Sequence, residues 1–107
     1  MEYLNKVQLR GIVGNVRVQK FDGCACTRFS VATNYGYNAK DGCAIVDTTW
    51  HNILAWSDSA PQAELLQKGD AVYVEGRIRM QHYVGADGID RTAIEILASK
   101  VARVASD

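Results

Sequence analysis

The chain has 107 residues, which fits one domain with a packed core. Twelve basic side chains balance twelve acidic ones. This excludes the strongly basic footprint of a general nucleic-acid binder, with a domain pI above about 9, unless the charges segregate by face. Residues 3–18 read as one long strand, with Val7, Leu9 and Val13 on one face and Lys6, Gln8 and Arg10 on the other. Gly11 and Gly14 predict a bulge or bend, so that this strand serves both sides of a small barrel. Lys20-Phe21-Asp22-Gly23 predicts a turn. Residues 25–33 form a second strand with Phe29 and Val31 inward and Arg28 and Ser30 outward. Asn34 to Asp47 reads as a loop of about fourteen residues, a length usually reserved for function or mobility.

Residues 48–56 form a third strand. Trp50, Asn52, Leu54 and Trp56 share one face, and His51, Ile53 and Ala55 the other. Ala60 to Gln67 predicts a short α-helix, with Ser59 and Gln62 spaced as a capping box and Gly69 as its stop. The fourth strand runs from Ala71 to Met80 and is expected to bury Val72, Val74, Ile78 and Met80, with Tyr73, Glu75, Arg77, Arg79, Gln81 and Tyr83 opposite. Gly85-Ala86-Asp87-Gly88 turns the chain. A fifth strand follows through Thr92, Ile94 and Ile96 to near Val101. Three strands, a short helix and two strands is the order of an all-β, five-stranded OB-fold Greek-key barrel. Residues 1–107 make one such domain.

Catalytic signatures are absent. There is no G-x-S-x-G elbow, P-loop, dinucleotide fingerprint or H-E-x-x-H. Asp41 and Asp47, or Asp87 and Asp90, could hold a divalent ion for phosphodiester hydrolysis, but turn chemistry accounts for them. Cys24, Cys26 and Cys43, with His51 and His82, lack zinc-site spacing, so free thiols in a reducing, cytoplasmic compartment are expected, without metal or cofactor. No run of about eighteen apolar residues suggests a membrane span, and the first residues hold no signal-peptide core.

A binding reading rests on stacking plus charge. Exposed aromatic rings stack on the bases of single-stranded nucleic acid at roughly 1–3 kcal/mol per base, and phosphates ask for Lys and Arg beside them. Trp50 and Trp56 share a face. Tyr37 and Tyr83 sit in the two loops that could flank it, and Lys6, Arg28, Lys68 and Arg79 could line the path between. His51, Tyr73 and Glu75 lie where a subunit interface could form.

The chain resembles the bacterial single-stranded DNA-binding proteins. The matching residues are Asn5-Lys6-Val7 with Leu9 and Gly11, Phe29-Ser30-Val31-Ala32-Thr33, Thr49-Trp50-His51, Lys68-Gly69-Asp70, Val72-Tyr73-Val74-Glu75-Gly76-Arg77, and Asp87-Gly88 with Arg91. The resemblance implies a homo-oligomer, usually a tetramer, that wraps single-stranded DNA without catalysis during replication, recombination and repair. It places stacking aromatics at Tyr37, Trp50, Trp56 and Tyr83, basic contacts at Lys6, Lys68 and Arg79, and subunit contacts around His51, Tyr73 and Glu75. Asn52, Asp58, Gln67 and Gln81 stand where that family often has a base, which implies a shallower salt dependence and weaker affinity. Members of the family usually continue into an acidic tail that recruits replication and repair proteins. The sequence ends at Asp107 after the fifth strand, so such partners are expected only where a tail exists. The alternatives are a dimeric primosome-type accessory protein, an OB module whose partner is protein, and a metal-dependent nuclease.

Overall fold

The computed structural model describes residues 2–104. Five antiparallel-rich strands, β1 (Val7–Phe21), β2 (Cys24–Asn38), β3 (Ala44–Trp56), β4 (Ala71–Val84) and β5 (Asp90–Arg103), close into a barrel in the order β1-β2-β3-β5-β4. This is the OB topology. Closure depends on β1 serving two neighbours. Its first half pairs with β4, from Val7↔Gly76 to Ile12↔Ala71, and its second half pairs with β2, from Ile12↔Ala32 to Phe21↔Cys24. The changeover sits at a register shift between Val13 and Val16, where Gly14 interrupts the strand. The remaining seam is parallel and short, Ile53↔Ile96 and Leu54↔Leu97.

Inward-facing residues pack one core. Val13, Phe29, Val31, Ile53, Val72, Val74 and Ile96 are buried, with Ala60, Ala63 and Leu66 closing one end. The chain between β3 and β4 is a 3-10 turn, Pro61–Leu65, and not the expected α-helix. Its N-cap is Ala60, which carries no side-chain acceptor, so the Ser59/Gln62 capping box does not form. Pro61 opens the segment and Leu66 is already extended, leaving too few residues to pass beyond a tight turn. Gly69 does supply a left-handed turn residue, at φ +94°. The turn is fastened to the β1 bend: the Gly69 N–H donates to the Val13 carbonyl and the Val13 N–H to the Asp70 carbonyl, both at 2.9 Å.

Two hairpin arms leave the barrel, and both depart from the sequence-based expectation. Asn34 to Asp47 is mostly strand. β2 and β3 stay paired out to Asn38↔Ala44, with residues 39–43 as the turn. The other arm extends β4 and β5 out to Val84↔Asp90. Ile78 and Met80, expected inside, are 49% and 57% exposed because by then β4 has left the core. An arm has no core behind it, so its strands need no apolar alternation, and apolar side chains on them are not thereby buried.

Candidate nucleic-acid interface

Residues paired across neighbouring strands share a face. The β2–β3 pairing is continuous, with Cys26↔Trp56, Arg28↔Leu54, Ser30↔Asn52 and Ala32↔Trp50 on the outer side. Leu97 continues the Arg28–Leu54 row, and Arg77 pairs with Leu97. On the same side of β4 and β5 lie Arg79↔Glu95 and Tyr83↔Arg91. Trp50, Trp56, Arg28, Arg79 and Tyr83 therefore come together on one surface across β2, β3, β5 and β4.

Both tryptophans are accessible, Trp50 at 59% and Trp56 at 38%. Trp50 lies over Gly14. A Cβ there would stand 2.5 Å from Trp50 Cζ3 and 2.7 Å from Ser30 Oγ, so the glycine makes room for the indole. Lys68 lines the same shallow hollow as Trp50, Gly14 and Ser30. Trp56 packs obliquely on Phe21, with ring centroids 6.1 Å apart. It also lines a cleft of about 490 Å³ together with Lys6 and Arg77. Beneath it, burial pushes the Cys26 thiol up, which keeps it an unreactive neutral group. Leu54 is on the outer side yet 2% exposed and outside the central cluster, because Arg28 and Leu97 flank it across the sheet.

The two arginines do not stand free. Arg28 Nη1 donates to Glu95 Oε2 at 3.1 Å, and Arg79 donates to Glu95 Oε1 through Nε at 3.1 Å and Nη2 at 2.5 Å. Glu95 is 6% exposed. Sequence reading missed this carboxylate. The Ile94/Ile96 alternation turns it outward, but its burial depends on arginines from two other strands, which no local pattern reveals. Phe21, which packs on Trp56, read only as a turn residue, and Arg77, assigned to the outer face of β4, was not linked to Trp56. In β1 the register shift between Val13 and Val16 hides which side Phe21 takes.

Tyr37 is not on this surface. It pairs with Ile45, on the side of the β2–β3 ribbon that carries His51, Thr33 and Tyr35. It is 44% exposed and neighbours Tyr35 at 6.2 Å. His51 Nε2 is hydrogen-bonded with Thr33 Oγ1 at 2.9 Å. Tyr73 and Glu75 lie on the outer side of β1 and β4, where Glu75 also lines the Trp56 cleft. The Tyr73 hydroxyl donates to Glu75 Oε2 at 2.7 Å and accepts from Gln8 Nε2 at 2.8 Å. Lys6 stands 3.9 Å from Glu75, and Lys100 lies over the Tyr73 ring. Glu75's carboxylate holds the Tyr73 phenol above its ordinary pKa by accepting its proton in a hydrogen bond. Among the described residues, no group of three or more His, Cys, Asp or Glu could hold a metal ion, and no helix is long and apolar enough to cross a membrane.

Residues 4–104 match the single-strand binding protein family. The chain belongs to that family. It is 42% identical over 101 residues to the single-stranded DNA-binding protein of Neisseria meningitidis serogroup A, covering 92% of this chain and 58% of that protein. The protein of the same name from Xanthomonas axonopodis is 37% identical over 92% of this chain and 56% of its own length. The chain thus spans somewhat more than half the length of these relatives. The fold matches a Plasmodium falciparum SSB solved in complex with ssDNA, with a TM-score of 0.82, 24% identity and 98% coverage of both chains. It also matches a deletion mutant of the Thermus aquaticus single-stranded DNA binding protein, with a TM-score of 0.75, 22% identity, and coverage of 95% of this chain and 51% of that one.

Proposed function

We propose that this protein binds single-stranded DNA with little sequence preference, without cofactor or catalysis, and shields it in the cytoplasm during replication, recombination and repair. The observation that carries this is the placing of Trp50 and Trp56, both accessible, on the same outer surface as Arg28, Arg79 and Tyr83. Duplex DNA hides its base faces, whereas a single strand offers them to an exposed ring. Bases stack on Trp50 and Trp56, with Tyr83 further along the β4–β5 arm. Phosphates pass Lys68 beside Trp50, the Arg28/Arg79 pair, and Lys6 beside Trp56. Tyr37 faces the other way, so it joins the site only when the strand wraps around the β2–β3 arm. The names of the relatives, including one structural neighbour solved with ssDNA, point the same way.

In this proposal the network of Gln8, Tyr73 and Glu75 forms one self-association surface of a tetramer, and the His51 side of the β2–β3 ribbon a separate one. The support for the first is the hydrogen-bonded cluster on the outer side of β1 and β4, which meets the Trp56 cleft only at Glu75. The experiment is a gel-shift and anisotropy titration with labelled oligo-dT against a duplex of equal length, in magnesium, with the DNA recovered afterwards. Tight binding to the single strand alone, with intact DNA, is expected. Equal duplex binding, or cleavage that chelator abolishes, would overturn the proposal.

A further inference from the structure

Arg17 and Arg28 sit directly opposite each other across the β1–β2 ladder, on the outer side. Like charges so placed repel. Only one of them is neutralised in the protein: Arg28 reaches Glu95, whereas Arg17 is exposed and has no carboxylate within 4.0 Å among the described residues. Both arginines and Glu95 line a single cleft of about 470 Å³, with Asn15, Ser30 and Asn52.

Glu95 is spent differently on its two partners. Arg79 gives it the Nε/Nη2 edge, two of its five N–H donors; its side chain is 33% exposed and it does not line that cleft. Arg28 gives a single Nη1 bond and is 54% exposed, so four of its five N–H donors remain for a ligand. The carboxylate fixes the Arg28 guanidinium in place and cancels one positive charge of the arginine group.

We infer that this cleft is a seat for a backbone phosphate, gripped by Arg17 and Arg28, with Arg79 as a structural backstop and Glu95 as a positioning residue that also limits the local charge. The seat rests on the proposed single-strand binding. It adds Arg17 as a phosphate contact, demotes Arg79 from that role, and makes Glu95 a brake on salt-sensitive affinity. An entering phosphodiester relieves the Arg17–Arg28 repulsion, so the site is primed for an anion.

Arg17→Ala and Glu95→Gln carry opposite expectations. Each is titrated with oligo-dT by tryptophan quenching at 50 and 200 mM salt, beside the unaltered protein, with thermal melts to confirm folding. Each phosphate contact on a single strand contributes a slope of about 0.7 in log affinity against log salt, or about 2.5-fold over this interval. Arg17→Ala should shallow the dependence by about 2.5-fold and weaken binding most at 50 mM. Glu95→Gln, which lifts the Arg17–Arg28–Arg79–Glu95 group by one charge, should steepen it by about as much and tighten binding at 50 mM. If the unaltered protein binds with clear salt dependence while folded Arg17→Ala keeps its slope, the seat is refuted and the binding proposal stands. Weaker, shallower binding by folded Glu95→Gln would refute the brake. Should Glu95→Gln melt below the assay temperature, Arg17→Ala decides alone. No binding by the unaltered protein would remove both.

Discussion

Two carboxylates on the outside of this barrel, Glu95 and Glu75, organise two side-chain clusters of different pairing geometry, which meet at the Trp56 cleft. Glu95 is nearly buried and held by two arginine forks, beside two exposed tryptophans. Glu75 is half-buried and meets a phenol at 2.7 Å and a lysine at 3.9 Å, with Gln8 and Lys100 on the same phenol. Guanidinium groups keep donors to spare after pairing once, so the first surface can still recognise phosphate. In the second, Tyr73, Glu75 and Gln8 are engaged with one another, which suits contact with protein, while Lys6 at its edge stays 58% exposed beside Trp56. A chain of zero net charge thus assigns its charges to different tasks by pairing geometry and not by count.

The sharpest way to break the comparison is Trp50→Ala. Binding to oligo-dT should weaken by about 1–3 kcal/mol, while the melting temperature moves little, since the indole is mostly outside the core. Unchanged affinity with lost stability would make Trp50 a packing residue. Gly14→Ala should weaken binding by about 1 kcal/mol, because the new methyl collides with the indole and must shift it off the surface. Its salt slope should stay that of the unaltered protein, in contrast to Arg17→Ala, and a changed slope would mean the glycine serves the charge layout instead.

The Glu75 surface should respond to pH and subunit concentration. Tyr73 is held above the ordinary phenol value of 10.0. Its contribution to stability is therefore complete below about pH 10 and is lost as pH rises through the raised value. Ultraviolet titration should show Tyr73 ionising above the ordinary phenol value, and Glu75→Gln should lower it. The same variant should loosen the proposed oligomer in sedimentation by about 1 kcal/mol or less, the scale of an exposed ion pair plus one hydrogen bond. A tyrosine titration indifferent to Glu75→Gln would dissolve the network.

The barrel body was legible in the chain because burial on one side imposes period two. Phe29, Val31, Val72 and Val74 were assigned inward and are buried there, and Trp50 and Trp56 were placed together by parity alone. The arms were not legible, because strands without a core behind them carry no such imprint. Tyr35, Gly36 and Tyr37 looked like a loop, and Ile78 and Met80 looked like core. The expected helix failed for a smaller reason: its capping residues fell one position away from the actual N-cap, Ala60, and Pro61 opened a segment too short to propagate. Glu95 was invisible because its meaning comes from Arg28 and Arg79, which lie 67 and 16 residues away along the chain.

The most direct test of the central claim, that the Trp50/Trp56 surface is where a single strand lies, is intrinsic tryptophan fluorescence during titration with oligo-dT at low and high salt, with duplex DNA as the comparison. The account predicts deep quenching by oligo-dT, weakened by salt and reduced in Trp50→Ala. A folded protein whose fluorescence is indifferent to oligo-dT at low salt would contradict it.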